Sequence, residues 1–193
     1  YMLGKIAKEA GMPDGVLNIL HGTGPKVGDA IVKHPKIKAI SFTGGTKTGE
    51  YIARTAGPMF KKLSLELGGK NPNIIFADCD FKEALSTTIR SSFANQGQIC
   101  LCGSRIFIER PIYEQFKEAF VAAMAKNKVS FPTDPEAKMG AVVSKPHMEK
   151  ILSYVELAKQ EGGTVICGGQ QLHPEGEHAN GYYIAPTVNE GLT

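Results

Sequence analysis

Three groups of residues have types and spacings suited to chemistry. They are a cysteine, Cys100, in Phe93-Ala-Asn-Gln-Gly-Gln-Ile-Cys-Leu-Cys-Gly-Ser-Arg105; a carboxylate, Glu66, in Leu63-Ser-Leu-Glu-Leu-Gly-Gly-Lys-Asn-Pro72; and a glycine turn, Thr43-Gly-Gly-Thr-Lys-Thr-Gly49. A thiol at a junction between helix and strand has backbone N–H groups nearby and can be reached by a substrate, whereas one inside either element is packed away. Cys100 therefore reads as a nucleophile, against the plain reading of a lone cysteine as a small buried hydrophobe. Glu66 lies 34 residues earlier, delivered by an alternating strand to a Gly-Gly turn. A carboxylate among leucines loses solvent, so its proton affinity is expected to rise toward the range of a general base; the plain reading is an edge-facing glutamate. The glycine turn follows a strand and opens a helix, an arrangement that can set backbone N–H groups and a positive helix end against a pyrophosphate. Its Gly-Gly-x-x-x-Gly pattern departs from the dinucleotide fingerprint, so a simple tight turn stays open on residues alone.

Stepping outward, the elements that must hold these groups can be read from pattern. Asp80 with Glu83 three residues on caps a helix over 81–94, in which Ala84, Leu85, Ile89 and Phe93 recur at helical spacing. Gly97 ends the connection, and 104–109 reads as a strand. Upstream, helices over 2–10 and 26–33 alternate with strands over 16–20 and 37–42, and a helix runs from the glycine turn through Ala56, the order of a parallel sheet with crossover helices. Downstream come a strand over 73–77 and a helix over 111–126 with Tyr113, Phe116, Phe120 and Met124 on one stripe. An exposed loop over 132–139 follows, then a helix from Pro146 with Ile151, Leu152, Val155 and Ala158 inward. His147 in its first turn reads as a surface residue. A short strand over 165–167, a polar loop over 170–180, and a strand and loop over 181–193 complete the chain.

Composition bounds the function. The chain has 193 residues, 42% apolar and 21% charged, with a net charge of +3 spread through both halves. It is globular in composition, and this charge is too small and dispersed for nucleic acid. No apolar run approaches the length that crosses a bilayer, and no secretory leader is visible. Four cysteines without such a leader point to reduced thiols in a cytoplasmic setting. Cys100-x-Cys102 lacks a second cluster at ligand spacing, so no metal site is expected. The chain starts on Tyr1 and stops without a terminating element, which reads as a fragment.

Taken together, Leu65-Glu-Leu-Gly-Gly-Lys-Asn-Pro72 and residues 93–104 resemble the glutamate and cysteine signatures of the aldehyde dehydrogenase superfamily. The resemblance runs essentially end to end and extends to Phe42 through Gly49 and Gly181-Tyr-Tyr-Ile-Ala-Pro-Thr187. It implies an α/β chain: residues 1–69 as the C-terminal part of a Rossmann-like NAD(P)-binding domain, and 70–193 as most of the catalytic domain. It further implies Cys100 as nucleophile and oxyanion-holding N–H, Glu66 as the base that activates water, and Asn95 as a residue that shapes the loop. Gly44, Gly45, Thr46, Lys47, Thr48, Gly49 and Leu67 would border NAD, with NADP open; Gly45 stands where many members have Ser. Residues 98–107 are similar to the branch acting on muconic semialdehydes, while betaine-aldehyde-like and aliphatic substrates remain open.

The resemblance also implies a homodimeric or homotetrameric parent acting on a small aldehyde. The family's Trp-Asn-x-Pro and Glu-x-Phe-Gly-Pro segments have no counterpart, so the isolated chain is expected to be inactive. Two other readings stand beside this one. A cysteine hydrolase or thioesterase would use Cys100 and Glu66 without nucleotide, and a noncatalytic relative would keep only the fold.

Overall fold

A computed structural model describes residues 1–192, in two compact units, Tyr1–Gly68 and Gly69–Thr193. In the first, α1 (Met2–Glu9) precedes a π-type turn over Gly24–Gly28 that runs into α2 (Asp29–Lys33). Then come β1 (Ala39–Gly44), the crossover helix α3 (Thr46–Ala56) and β2 (Lys62–Leu67). The two strands pair in parallel, from Ala39 opposite Lys62 to Gly44 opposite Leu67.

Strand alternation decides which side is covered. Ile40, Phe42, Leu63 and Leu65 face Val32, Ile52 and Ala56 of the helices, while Ser41, Thr43, Ser64 and Glu66 take the other face and are exposed. Buried Lys61, just before β2, donates from Nζ to Val32 O and to His34 O (2.8 Å), tying the end of α2 to the strand.

The strand expected over 16–20 does not form. Val16, Leu17, Ile19 and Leu20 are exposed, and among the described residues no strand pairs with them. An apolar run becomes a strand only where a neighbour satisfies its backbone, and β-rich composition cannot supply one.

The second unit opens with β3 (Pro72–Ile75), α4 (Phe81–Phe93) and β4 (Arg105–Ile108), the strands parallel with Pro72 opposite Arg105. The Asp80 side chain accepts from Glu83 N (2.9 Å), the expected cap. After a 3-10 turn, α5 (Tyr113–Met124) lays Phe116, Phe120 and Met124 against Ile75, and Phe81, Leu85, Ile89 and Phe93 of α4 pack around them. Phe81 meets Phe116 edge-on with ring centres 5.5 Å apart. Side chains of this size each contribute about 1.5–3 kcal/mol on burial, so α4 is held by its apolar stripe more than by its cap, worth about 1 kcal/mol.

Next is α6 (Lys145–Gln160), capped by Ser144, and then β5 (Thr164–Cys167), β6 (Gln171–Leu172), β7 (Tyr183–Ile184) and β8 (Val188–Glu190). These last strands pair antiparallel, β5 with β8 and β6 with β7. The expected single strand after Gly181 is thus two, parted around Pro186, whose missing N–H cannot extend a ladder; Thr193 lies outside the described residues. Met139, expected in an exposed loop, is buried and bridges Val129. Glu190 ties β8 to α5: it accepts from Tyr113 Oη, and Lys117 Nζ lies 3.1 Å away. Tyr113 first, and then Lys117, hold the Glu190 carboxyl below the ordinary range. Among the described residues no helix is long and apolar enough to cross a membrane.

Candidate active site

The first unit gathers the glycine turn and Glu66 at one end of its sheet. Thr43 is level with Glu66 and Gly44 with Leu67, and Gly68 N donates to Gly44 O (3.2 Å). Thr43 and Glu66 therefore stand side by side on the uncovered face. The expected burial of Glu66 among leucines is corrected here. Period-two alternation sends Leu63, Leu65 and Leu67 to the helix-covered side and leaves the carboxylate exposed on the other.

The glycines of the turn have different work. Gly45 leads into α3 with extended backbone, and a Cβ there would meet nothing within 4 Å, so this position carries no steric demand. A Cβ on Gly49 would fall 2.5 Å from the Leu67 side chain, so a side chain here would force Leu67 to shift, and glycine lets α3 seat against that residue of β2. No side chain caps α3. Its first-turn N–H groups, at Thr46 and Lys47, have no carbonyl one turn earlier within the helix, and the exposed Lys47 adds a cation. An uncapped helix start after a glycine turn suits a phosphate-bearing group.

The second unit holds Cys100 and Asn95. The segment leaving α4 turns through three successive left-handed residues, Asn95 (φ 50°), Gln96 (φ 54°) and Gly97 (φ 70°). Glycine takes this freely and asparagine tolerates it, but Gln96 is strained and must be held. With its amide oriented to satisfy its neighbours, Gln96 donates to Asn95 Oδ1 (3.1 Å) and accepts from Gly140 N (2.7 Å). Gln98 N donates to the backbone carbonyl of Asn95 (3.0 Å), closing the turn through the main chain. His147 is half-buried, and its Nε2 lies 3.2 Å from Gln98 Oε1.

Cys100 itself is exposed, whereas Cys102 is buried. Behind them Gly103 is clamped to the end of α4: its N–H reaches Ser91 Oγ (3.1 Å), and Ser92 Oγ donates to Gly103 O (2.9 Å). A Cβ on Gly103 would sit 2.7 Å from Ser91 Oγ and 3.1 Å from Asn73 Cβ. On the other side, Asn71 Nδ2 donates to the carbonyls of Cys100 and Cys102. The serine pair, Asn71 and the His147 contact were not singled out from sequence; a helix-end serine pair and an asparagine before proline are the only traces they leave there.

All four cysteines are free. Among the described residues no three His, Cys, Asp or Glu side chains gather to hold a metal ion. The chemistry of the two halves is thus an accessible thiol on a braced loop, and a carboxylate beside a turn fit for phosphate.

The aldehyde dehydrogenase family model matches residues 1–193, and the chain belongs to the aldehyde dehydrogenase family. Among curated proteins it is 52% identical over 190 residues to 2-aminomuconic semialdehyde dehydrogenase of Mus musculus, covering 97% of this chain and 39% of that protein. It is 44% identical over 193 residues to 2-aminomuconic 6-semialdehyde dehydrogenase of a Pseudomonas species, covering 100% of this chain and 39% of the relative. Among solved structures, betaine aldehyde dehydrogenase of Staphylococcus aureus in complex with NAD+ superposes with a TM-score of 0.92 at 37% identity, over 97% of this chain and 37% of that one. The chain therefore spans about two fifths of the length of the curated relatives it matches.

Proposed function

We infer that this chain carries the nucleophile, the water-activating base and part of the cofactor site of an NAD-dependent aldehyde dehydrogenase, and that its substrate is a muconic semialdehyde. The observation that carries the reading is the match to 2-aminomuconic semialdehyde dehydrogenases, at about half identity over nearly the whole chain. The hydrolase and noncatalytic readings have no comparable support.

The steps follow from the residues. The Cys100 thiolate adds to the aldehyde carbon, forming a C–S bond and moving the carbonyl electrons onto oxygen, where the Cys100 backbone N–H stabilises the charge. NAD, when bound along residues 44–49 and Leu67, supplies the acceptor for the hydride that the carbon must lose. Collapse of the oxyanion leaves a thioester on Cys100. Glu66 takes a proton from water, the hydroxide adds to the thioester carbon, the C–S bond breaks and a carboxylic acid leaves, restoring the thiolate. Relatives of the fold that transfer the acyl group to coenzyme A generally lack this glutamate, which favours water as acceptor. Asn95 keeps the loop in shape.

The test is an aldehyde panel on a polypeptide of the relatives' full length that includes this chain, following NADH and NADPH separately. A muconic semialdehyde should give the highest kcat/KM, and Cys100→Ser should lower turnover by about a thousandfold or more. Turnover that survives the serine, or an acid product formed without nucleotide, would refute the reading.

A further inference from the structure

One contact of the thiol loop has no part in the chemistry above. Asn71 Nδ2 donates to Cys100 O (2.6 Å) and to Cys102 O (3.3 Å). A carboxamide nitrogen carries two hydrogens, so it can serve both carbonyls, and because both partners are acceptors only the nitrogen can face them. The main chain continues the grip: Asn71 O accepts from Arg105 N (3.1 Å), and Lys70 O accepts from Arg105 Nε (2.9 Å). Segment 70–71 thus holds the loop at 100, 102 and 105.

Apolar packing cannot replace that grip on the open side, where Leu101 is 80% exposed. The serines of α4 hold Gly103 but no atom of Cys100. Fixing the Cys100 carbonyl fixes the peptide plane on the C-terminal side of its Cα and so restricts the backbone from which Cβ and the sulfur project.

We propose that Asn71 is the positioning residue for the Cys100 thiol, bridging two carbonyls so that sulfur and loop N–H groups keep one arrangement. This rests on the reading of Cys100 as the nucleophile. Serine at this position could donate one hydrogen bond but not span both carbonyls, and aspartate would turn oxygen toward oxygen.

The test is alkylation of the full 193-residue chain by iodoacetamide across pH, with each cysteine read by mass spectrometry. Cys79 and Cys167, both half-buried, serve as internal reporters of loosening. Asn71→Ala should slow Cys100 alkylation at neutral pH by about fivefold, the scale of one lost net hydrogen bond, and raise the midpoint of its pH profile, with Cys79 and Cys167 unchanged. Asn71→Ser should recover part of both. An Ala variant with unaltered Cys100 rate and midpoint overturns the proposal. If that variant also loosens Cys79 and Cys167, the Ser variant must show a smaller slowing with those two unchanged, and its failure to do so overturns the proposal equally. A wild-type Cys100 that reacts no faster than Cys79 defeats the nucleophile reading itself, a result distinct from a reactive Cys100 indifferent to Asn71.

Discussion

The end of the first unit's sheet and the thiol loop of the second are built in opposite ways. Glu66 and the start of the glycine turn, Thr43 and Gly44, sit on a regular parallel ladder with positions fixed by backbone pairing, and the Glu66 side chain is exposed. Cys100 sits in irregular backbone with no ladder of its own, and its loop is fixed by side chains from α4 and from the residue before β3. A site held by backbone pairing tolerates change in its side chains. A site held by side chains transmits each loss to its neighbours.

The largest test of that contrast removes a functional side chain from the ladder. Glu66→Gln should lower steady-state acid production in the full-length protein by about a hundredfold or more while leaving a first burst of NADH, because in the proposed mechanism Glu66 acts on the water that hydrolyses the thioester. An acyl adduct on Cys100 should then be visible by intact mass. Since Glu66 is exposed, unfolding free energy should change by no more than about 0.5 kcal/mol. A large loss of stability would show that the carboxylate has a structural task after all.

A second test adds one carbon to the loop held by side chains. Gly103→Ala places a methyl 2.7 Å from Ser91 Oγ and should cost about 1–3 kcal/mol in the urea unfolding of the second unit. Cys100 alkylation should fall with it. An unchanged midpoint would mean that the loop yields easily and is not braced as described.

The smallest effect lies behind the loop, where β8 is tied to α5 by charge. Glu190 is depressed by its bonds from Tyr113 and Lys117, so its contribution to stability is present above the ordinary glutamate value of about 4.3 and is lost as pH falls through its lower folded value. Glu190→Gln should flatten the acid limb of the second unit's stability profile below about pH 4 and change it little near neutrality. Equal slopes for the two proteins would remove the tie from the account.

Much of this was legible in the chain because local signals and packing agree. Asp80 with Glu83, the stripe through Phe116, Phe120 and Met124, and the alternating β2 all formed as their spacing indicates. The same alternation also held the correction to Glu66: in Leu-Ser-Leu-Glu-Leu, period two already puts the glutamate opposite the leucines, and reading it as surrounded by them neglects the pleat. Residues 16–20 misled because strand composition is local while a partner strand is not. Asn71, Ser91 and Ser92 were silent because their roles depend on carbonyls and N–H groups up to 31 residues away, which no spacing rule encodes.

Gly49 has a mechanical consequence. Its bare Cα lets α3 seat against the Leu67 side chain at the end of β2, so the helix that starts at the turn and the strand end beside Glu66 share one packing contact. A larger residue at position 49 would have to push Leu67 aside and so disturb the strand end next to Glu66.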